Sequence, residues 1–291
     1  MNDSTLKWGL LAPAFLIAAV VLIYPIAQSF WYSLHDWNLS QSPELGPFVG
    51  FENYLRLLTA DPEFWESARV SAVFSFFSVT VTITLAMALA VLLQGGSRLE
   101  VGVRSILVLA FSMSPALVGI SWRFLLSPEF GAADALIKWA VPAWRNVPIL
   151  ADETTAMIAL VLVDAWHWVP YFMLVFIGAM ASLPQETIEA AQVDGARRGR
   201  IFFGIVLPQL KSVLGIAILL KTIFSIKMLE QVITMTKGGP GTSTATVPFR
   251  VYETAFRWYD FGYAAAMAYF LAFVMLILAF VYSHFVLREK R

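Results

Sequence analysis

Six stretches of this sequence are long and apolar enough to cross a lipid bilayer, and no other feature restricts its fold as much. A spanning helix needs about 20 mostly apolar residues, because within lipid only a helix or a closed barrel pairs all its own backbone N–H and C=O groups. The predicted spans are residues 8–34, 70–93, 101–126, 156–181, 209–227 and 262–287. Lys211 and Lys221 make the fifth the least apolar. The first exceeds the roughly 7–15 residues of a signal-peptide core and lacks an A-x-A cleavage site, so it reads as a retained helix. The expected class is all-α, a polytopic membrane protein with one transmembrane domain over residues 1–291.

Composition supports this and narrows the chemistry. Hydrophobic residues make up 59% of the chain and charged ones 14%, against about a quarter charged in soluble domains. A net charge of zero leaves no basic footprint for nucleic acid. The absence of cysteine excludes disulfides, thiolate nucleophiles and cysteine-held metals. His35, His167 and His284 are too widely spaced in sequence to suggest a metal cluster.

Lys and Arg set the orientation. With the N-terminus inside, the internal segments carry Lys7, Arg98, Arg104, Arg197, Arg198, Arg200, Arg288, Lys290 and Arg291, while the longer external segments hold a sparser set. Both termini are therefore expected in the cytoplasm. Outside, Phe51, Tyr54, Leu55 and Leu58 fall at i, i+3, i+4 and i+7, the stripe of a short amphipathic helix that lies at the interface or packs on the spans. Trp31, Tyr32 and Trp37 suit an aromatic belt at the end of the first span.

One polar interruption stands out, SLPQETIEAAQVDGARRGRIFFGIVLP, between the fourth and fifth spans. Ser182 and Gln185 resemble a capping box, Pro184 suits a first helical turn, and Gly195 suits a left-handed helix end. A helix is predicted from about Leu183 to Asp194, then a glycine hinge and a second amphipathic stretch, Arg197 to Val206. Physical reasoning leaves two uses for it: docking into a partner's groove through the small Ala190 and Ala191, or an interfacial elbow whose arginines bind lipid phosphates.

The same residues carry a resemblance. Glu189-Ala190-Ala191, then Gly195, Ile205, Leu207 and Pro208 reproduce the spacing E-A-A-x3-G-x9-I-x-L-P, which resembles the motif of permease subunits in bacterial ATP-binding-cassette importers. Pro13, Tyr24-Pro25, Phe48-Val49-Gly50, Asn53-Tyr54 and Thr236-Lys237-Gly238-Gly239-Pro240 extend the likeness over most of the chain. It is similar to the compact six-span form of the first permease subunit of maltose-type and glycerol-phosphate-type systems, a type I importer fold. The resemblance implies a subunit of the bacterial inner membrane that moves a sugar or sugar derivative inward. Its implied partners are a second permease of different sequence, two cytoplasmic ATPase subunits and an extracytoplasmic solute-binding protein. It also implies that Glu189, Ala190, Ala191, Asp194 and Gly195 form the helix coupled to the ATPase. No cofactor is then expected in this chain, ATP and Mg being bound by the ATPase subunits. The loop TKGGPGTST fits this, since it is not a phosphate-binding G-x-x-x-x-G-K-[ST]; by itself it reads as a turn, and the resemblance implies an outer loop that faces the binding protein or the solute pathway.

For the solute path, ionisable residues inside spans are the first candidates. Asp164, His167, Trp168 and Tyr171 fall at i, i+3, i+4 and i+7 on the fourth span, offering the hydrogen bonds and flat surfaces that a sugar takes. A packed network between helices is the alternative. Pro170 is expected to interrupt that helix. Lys221 requires a water-filled cavity or a carboxylate partner, and Lys227 with Glu230 adds charge at the end of the fifth span; these cations leave an anionic substrate open. Two other classes compete with transport driven by a separate ATPase. An intramembrane enzyme using Asp164 and His167 lacks a nucleophile motif, and a stand-alone carrier would show paired inverted repeats.

Overall fold

A computed structural model describes residues 3–287, helical in nearly all of its regular structure. Arg288, Lys290 and Arg291, used above for orientation, lie outside the described residues, as does the side chain of Lys7. The chain begins with α1 (Asp3–Ala18), which passes through a π-turn into α2 (Tyr24–Ser33). Then come α3 (Glu52–Thr59), α4 (Pro62–Leu93), α5 (Arg98–Phe111), α6 (Pro115–Leu125), α7 (Ala132–Ala140) and α8 (Glu153–Ala181). The polar interruption contributes α9 (Gln185–Val193), α10 (Arg198–Ile201) and α11 (Leu207–Gln209), followed by α12 (Lys211–Ile226), α13 (Val247–Phe256) and α14 (Phe261–Leu287). Among the described residues, four helices are long and apolar enough to cross a membrane, and two bent pairs raise the number to six if each pair is one span.

The first of those bent pairs corrects the expectation of a continuous third span, whereas the second falls at the expected entry to the fifth, whose helix runs unbroken over Lys211–Ile226. The third breaks by 99° between Phe111 and Pro115. Proline forces the residue before it toward extended geometry and lacks the N–H that would continue the ladder. Ser114 accordingly sits at φ −68°, ψ 146°, and its side chain accepts a hydrogen bond from the Leu117 N–H, starting α6 afresh. The second pair bends by 71° between Gln209 and Lys211, where the fifth span is expected to begin. The fourth behaves in the opposite way: α8 runs unbroken through Pro170, contrary to the interruption expected there. Pro170 is buried within the most enclosed of the four long apolar helices among the described residues, 61% of whose apolar window is covered against 33% for α4. Packing on several sides holds α8 together through the missing hydrogen bond.

The chain divides into two compact units, one holding the residues up to Trp65 with Arg250–Val274, the other Glu66–Phe249 with the residues from Met275 on. In the first unit, α3 is stapled to the end of α2 by Asn53, whose amide donates to the carbonyls of Ser33 (2.9 Å) and His35 (3.0 Å). Tyr54 meets the Ser33 hydroxyl at 2.7 Å; burial pushes its phenol above the ordinary tyrosine range, and that hydrogen bond opposes the shift. Apart from Tyr54, the apolar stripe on α3 turns away from this contact: Phe51, Leu55 and Leu58 are exposed, while Leu57 is buried. The stripe therefore offers itself to lipid or a partner. At the start of α14, Asp61 accepts a hydrogen bond from the Tyr263 hydroxyl at 2.6 Å, and the Arg56 guanidinium lies 4.0 Å above that ring.

Gly262 marks one of the tightest approaches in this unit. A Cβ there would stand 2.1 Å from the His35 carbonyl oxygen and 3.0 Å from the Trp37 nitrogen, both backbone atoms. Gly262→Ala is expected to destabilise the chain by about 1–3 kcal/mol, the usual cost of overpacking. A thermal midpoint equal to that of the parent would contradict the close approach.

In the second unit, α8 is the central element. Phe172, Met173 and Phe176 pack with Ala86 and Ala90 of α4 and Ala217 of α12 in one buried cluster. A second cluster joins Phe74, Val118, Leu160 and Val232. The loop TKGGPGTST folds back on itself within this unit: Lys237, Gly238 and Gly241 adopt positive φ, and the Thr244 hydroxyl lies 2.8 Å from both the Gly239 carbonyl and the Thr236 hydroxyl.

Candidate functional site

The polar interruption is an exposed helical elbow. The capping box expected from Ser182 and Gln185 does not form, because Ser182 is used by the preceding helix: it caps α8, donating its hydroxyl to the Ala179 carbonyl at 2.8 Å. Pro184 is thus left as the cap of α9 rather than in its first turn. The far end follows the sequence more closely. Gly195 has φ +76°, its N–H donates to the Gln192 carbonyl (3.0 Å), and the Ala196 N–H donates to the Ala191 carbonyl (2.9 Å). This pair of bonds around a left-handed glycine is the Schellman helix ending.

Orientation within α9 sorts its residues. Ile188 and Ala191 turn toward the core and pack there with Leu183 and Ala196. Glu186, Glu189, Ala190, Val193 and Asp194 are exposed. Val193 is 88% exposed, an apolar knob on a polar helix. Sequence reasoning missed it, although Glu186, Glu189, Ala190 and Val193 stand at i, i+3, i+4 and i+7 and so share a face. Beneath α9 lies a cavity of about 590 Å³ whose lining includes Gln94, Met180, Ile188, Gln192 and Arg198.

The ionisable residues of the fourth and fifth spans meet inside the second unit. Lys221 Nζ of α12 lies 2.5 Å from Asp164 Oδ2 of α8, with side-chain exposures of 0% and 3%. The Ser78 hydroxyl of α4 donates to the same carboxylate oxygen and lies 3.1 Å from the Ser225 hydroxyl. Three helices are tied together at this point. Removing two charges from water costs several kcal/mol per ion and is tolerated only where partners and hydrogen bonds replace the lost hydration. The carboxylate partner that Lys221 required is therefore Asp164.

This arrangement divides the face expected on α8. Asp164 and His167 are buried, whereas Trp168 and Tyr171 are half-buried. His167 Nε2 is 3.1 Å from the Met113 carbonyl, at the break of the third span, so the ring braces that break rather than joining Asp164 in an acid–base pair. Trp168 stacks on Phe224 of α12, with centroids 4.5 Å apart and planes 16° from parallel, and Tyr171 stacks on Phe111 of α5 at 5.1 Å. Lys221 Nζ lies 5.4 Å from the Trp168 ring centroid, on the inner side of this aromatic shelf. Lys227 and Glu230, past the end of α12, are exposed and are not brought to the cluster.

Apolar helices long enough to cross a membrane, two bent pairs among them and an exposed elbow before the last bend define a polytopic membrane protein. The chain belongs to the family of binding-protein-dependent transport system inner membrane components, which it matches over residues 57–291. It is 30% identical over 282 residues to the trehalose/maltose transport system permease protein MalF of Thermococcus litoralis, spanning 96% of this chain and 92% of the relative. It is 28% identical over 289 residues to the sn-glycerol-3-phosphate transport system permease protein UgpA of Pectobacterium atrosepticum, spanning 99% and 96%. A crystal structure of a bacterial ABC transporter that imports the acidic polysaccharide alginate aligns with a TM-score of 0.84 at 18% identity, covering 100% of this chain and 98% of that one; at this identity it speaks for the fold alone. The chain is a membrane-embedded permease subunit of an ABC importer, a transport component rather than an enzyme.

Proposed function

We propose that this permease carries a sugar or sugar derivative across the bacterial inner membrane by ATP-driven alternating access, with both termini in the cytoplasm. It works with a second permease of different sequence, two cytoplasmic ATPase subunits that bind ATP and Mg, and an extracytoplasmic solute-binding protein. The elbow is the coupling element: Glu189 supplies a polar contact, Ala190 permits close approach, Ala191 seats the helix against the core, Asp194 and Gly195 close the helix, and Val193 adds an apolar knob. Trp168 and Tyr171 line the solute path with Phe111 and Phe224, the Asp164–Lys221 pair stands behind them, and His167 positions the break of the third span. Lys227 and Glu230 belong to the mouth of the path.

The observation that carries the sugar reading is the half-open shelf of stacked rings on α5, α8 and α12. Flat aromatic faces take the C–H faces of a pyranose while its hydroxyls remain free for hydrogen bonds. In proteoliposomes holding the complete importer, uptake is expected to require both ATP and the receptor. Trp168→Ala is expected to raise the apparent KM for solute about tenfold, the worth of one stacked ring. Uptake without ATP or receptor would defeat the importer reading, and an unchanged KM would remove Trp168 from the path.

A further inference from the structure

We propose that Asp164 acts as an internal counter-ion that cancels Lys221, making the aromatic site selective for uncharged solutes and closed to phosphorylated or sulfonated ones. This rests on the reading of the shelf as part of the solute path. A lysine beside a binding shelf would ordinarily attract an anion, since its charge is poorly screened away from water. Here the charge is already spent. Lys221 Nζ is 2.5 Å from Asp164 Oδ2 and wholly buried. The carboxylate is held in place by Ser78, which is itself linked to Ser225.

Among the described residues, Lys221 is the cation in contact with the shelf, through the face of Trp168. The shelf itself is formed by the rings of Phe111, Trp168, Tyr171 and Phe224, with the buried rings of His167 and Phe172 packed against them. An anionic group placed there would give up its hydration without finding a free cation and would face the Asp164 carboxylate across Lys221. An uncharged polyol pays no such penalty. Asp164 is thus a positioning and specificity residue, acting through Lys221 rather than touching solute.

The test uses a matched pair of probes, trehalose and trehalose 6-phosphate, binding to the assembled permease–ATPase complex in nanodiscs without the receptor, so that selectivity belongs to the permease. The parent complex is expected to bind trehalose at least tenfold more tightly than its phosphate. Asp164→Asn, which unmasks Lys221, should narrow or reverse that ratio by tenfold or more, while Asp164→Glu, which keeps the carboxylate, should retain the parental ratio. A change in ratio between two probes on one preparation is a readout that mere loss of folded protein does not move. Equal binding of both probes by the parent overturns the inference without any variant, which keeps it exposed if Asp164→Asn fails to assemble. An assembled Asp164→Asn complex with the parental ratio also overturns it. Trp168→Ala separates the two levels: weaker trehalose binding with no ratio change in Asp164→Asn sinks the counter-ion alone, whereas unchanged binding in Trp168→Ala sinks the path and the counter-ion with it.

Discussion

Lys221→Met is expected to lower the stability of the chain by about 3–5 kcal/mol, the cost of leaving one member of a buried ion pair without its partner. Methionine matches the lysine stem in length and keeps the packing beside Trp168, so the loss isolates the charge. Asp164 would be left at 2% exposure with only the Ser78 hydroxyl to satisfy it. The double variant Asp164→Asn/Lys221→Met removes both charges, retains an amide for Ser78 to meet, and should recover most of the deficit, because a buried pair contributes little net stability over an uncharged replacement. The yield of monodisperse protein and its thermal midpoint measure this. If Lys221→Met equals the parent, or the double variant is worse than both single variants together, the pair is not the closed unit described here.

That pair also shows how far sequence could reach. The need of Lys221 for a carboxylate was legible from one lysine within an apolar run, but its partner stands 57 positions away on another helix, and periodicity along a single helix carries no information about what faces it. The same limit hid Ser78, Ser225, Phe111 and Phe224, which become site residues only when α4, α5 and α12 pack on α8. It also misled the reading of the face on α8. Asp164, His167, Trp168 and Tyr171 share a side, as their spacing says, yet the neighbouring helices cover the first two and leave the others half-open. The elbow was legible because its signals are local: Gly195 ends α9 by its own backbone geometry. Ser114-Pro115 was an equally local signal, concealed within a stretch that hydropathy alone joins into one span.

The elbow carries the second large effect. Glu189→Lys is expected to abolish copurification of the ATPase and to reduce solute-stimulated ATP hydrolysis at least tenfold, while leaving the permease folded. The separation follows from exposure. Glu189 makes no contact on which the fold depends, and surface substitutions away from such contacts usually stay within about 0.5 kcal/mol. Gly195→Asp reaches the same end by another route. A Cβ at position 195 meets nothing within 4 Å, so no clash arises, but the backbone there is left-handed at φ +76°. A side chain resists that conformation by up to about 1–2 kcal/mol, with Asp at the lower end of that range. The strain falls on the Schellman ending and tilts α9, moving Glu189, Ala190 and Val193 off their common face. Val193→Asp distinguishes docking from lipid binding: an apolar knob seated in a partner groove loses affinity when charged, whereas an elbow whose arginines rest on phosphates is indifferent to it. Retention of the ATPase in all three variants would leave Arg197, Arg198 and Arg200 at a lipid surface as the better account of why so polar a segment interrupts the spans.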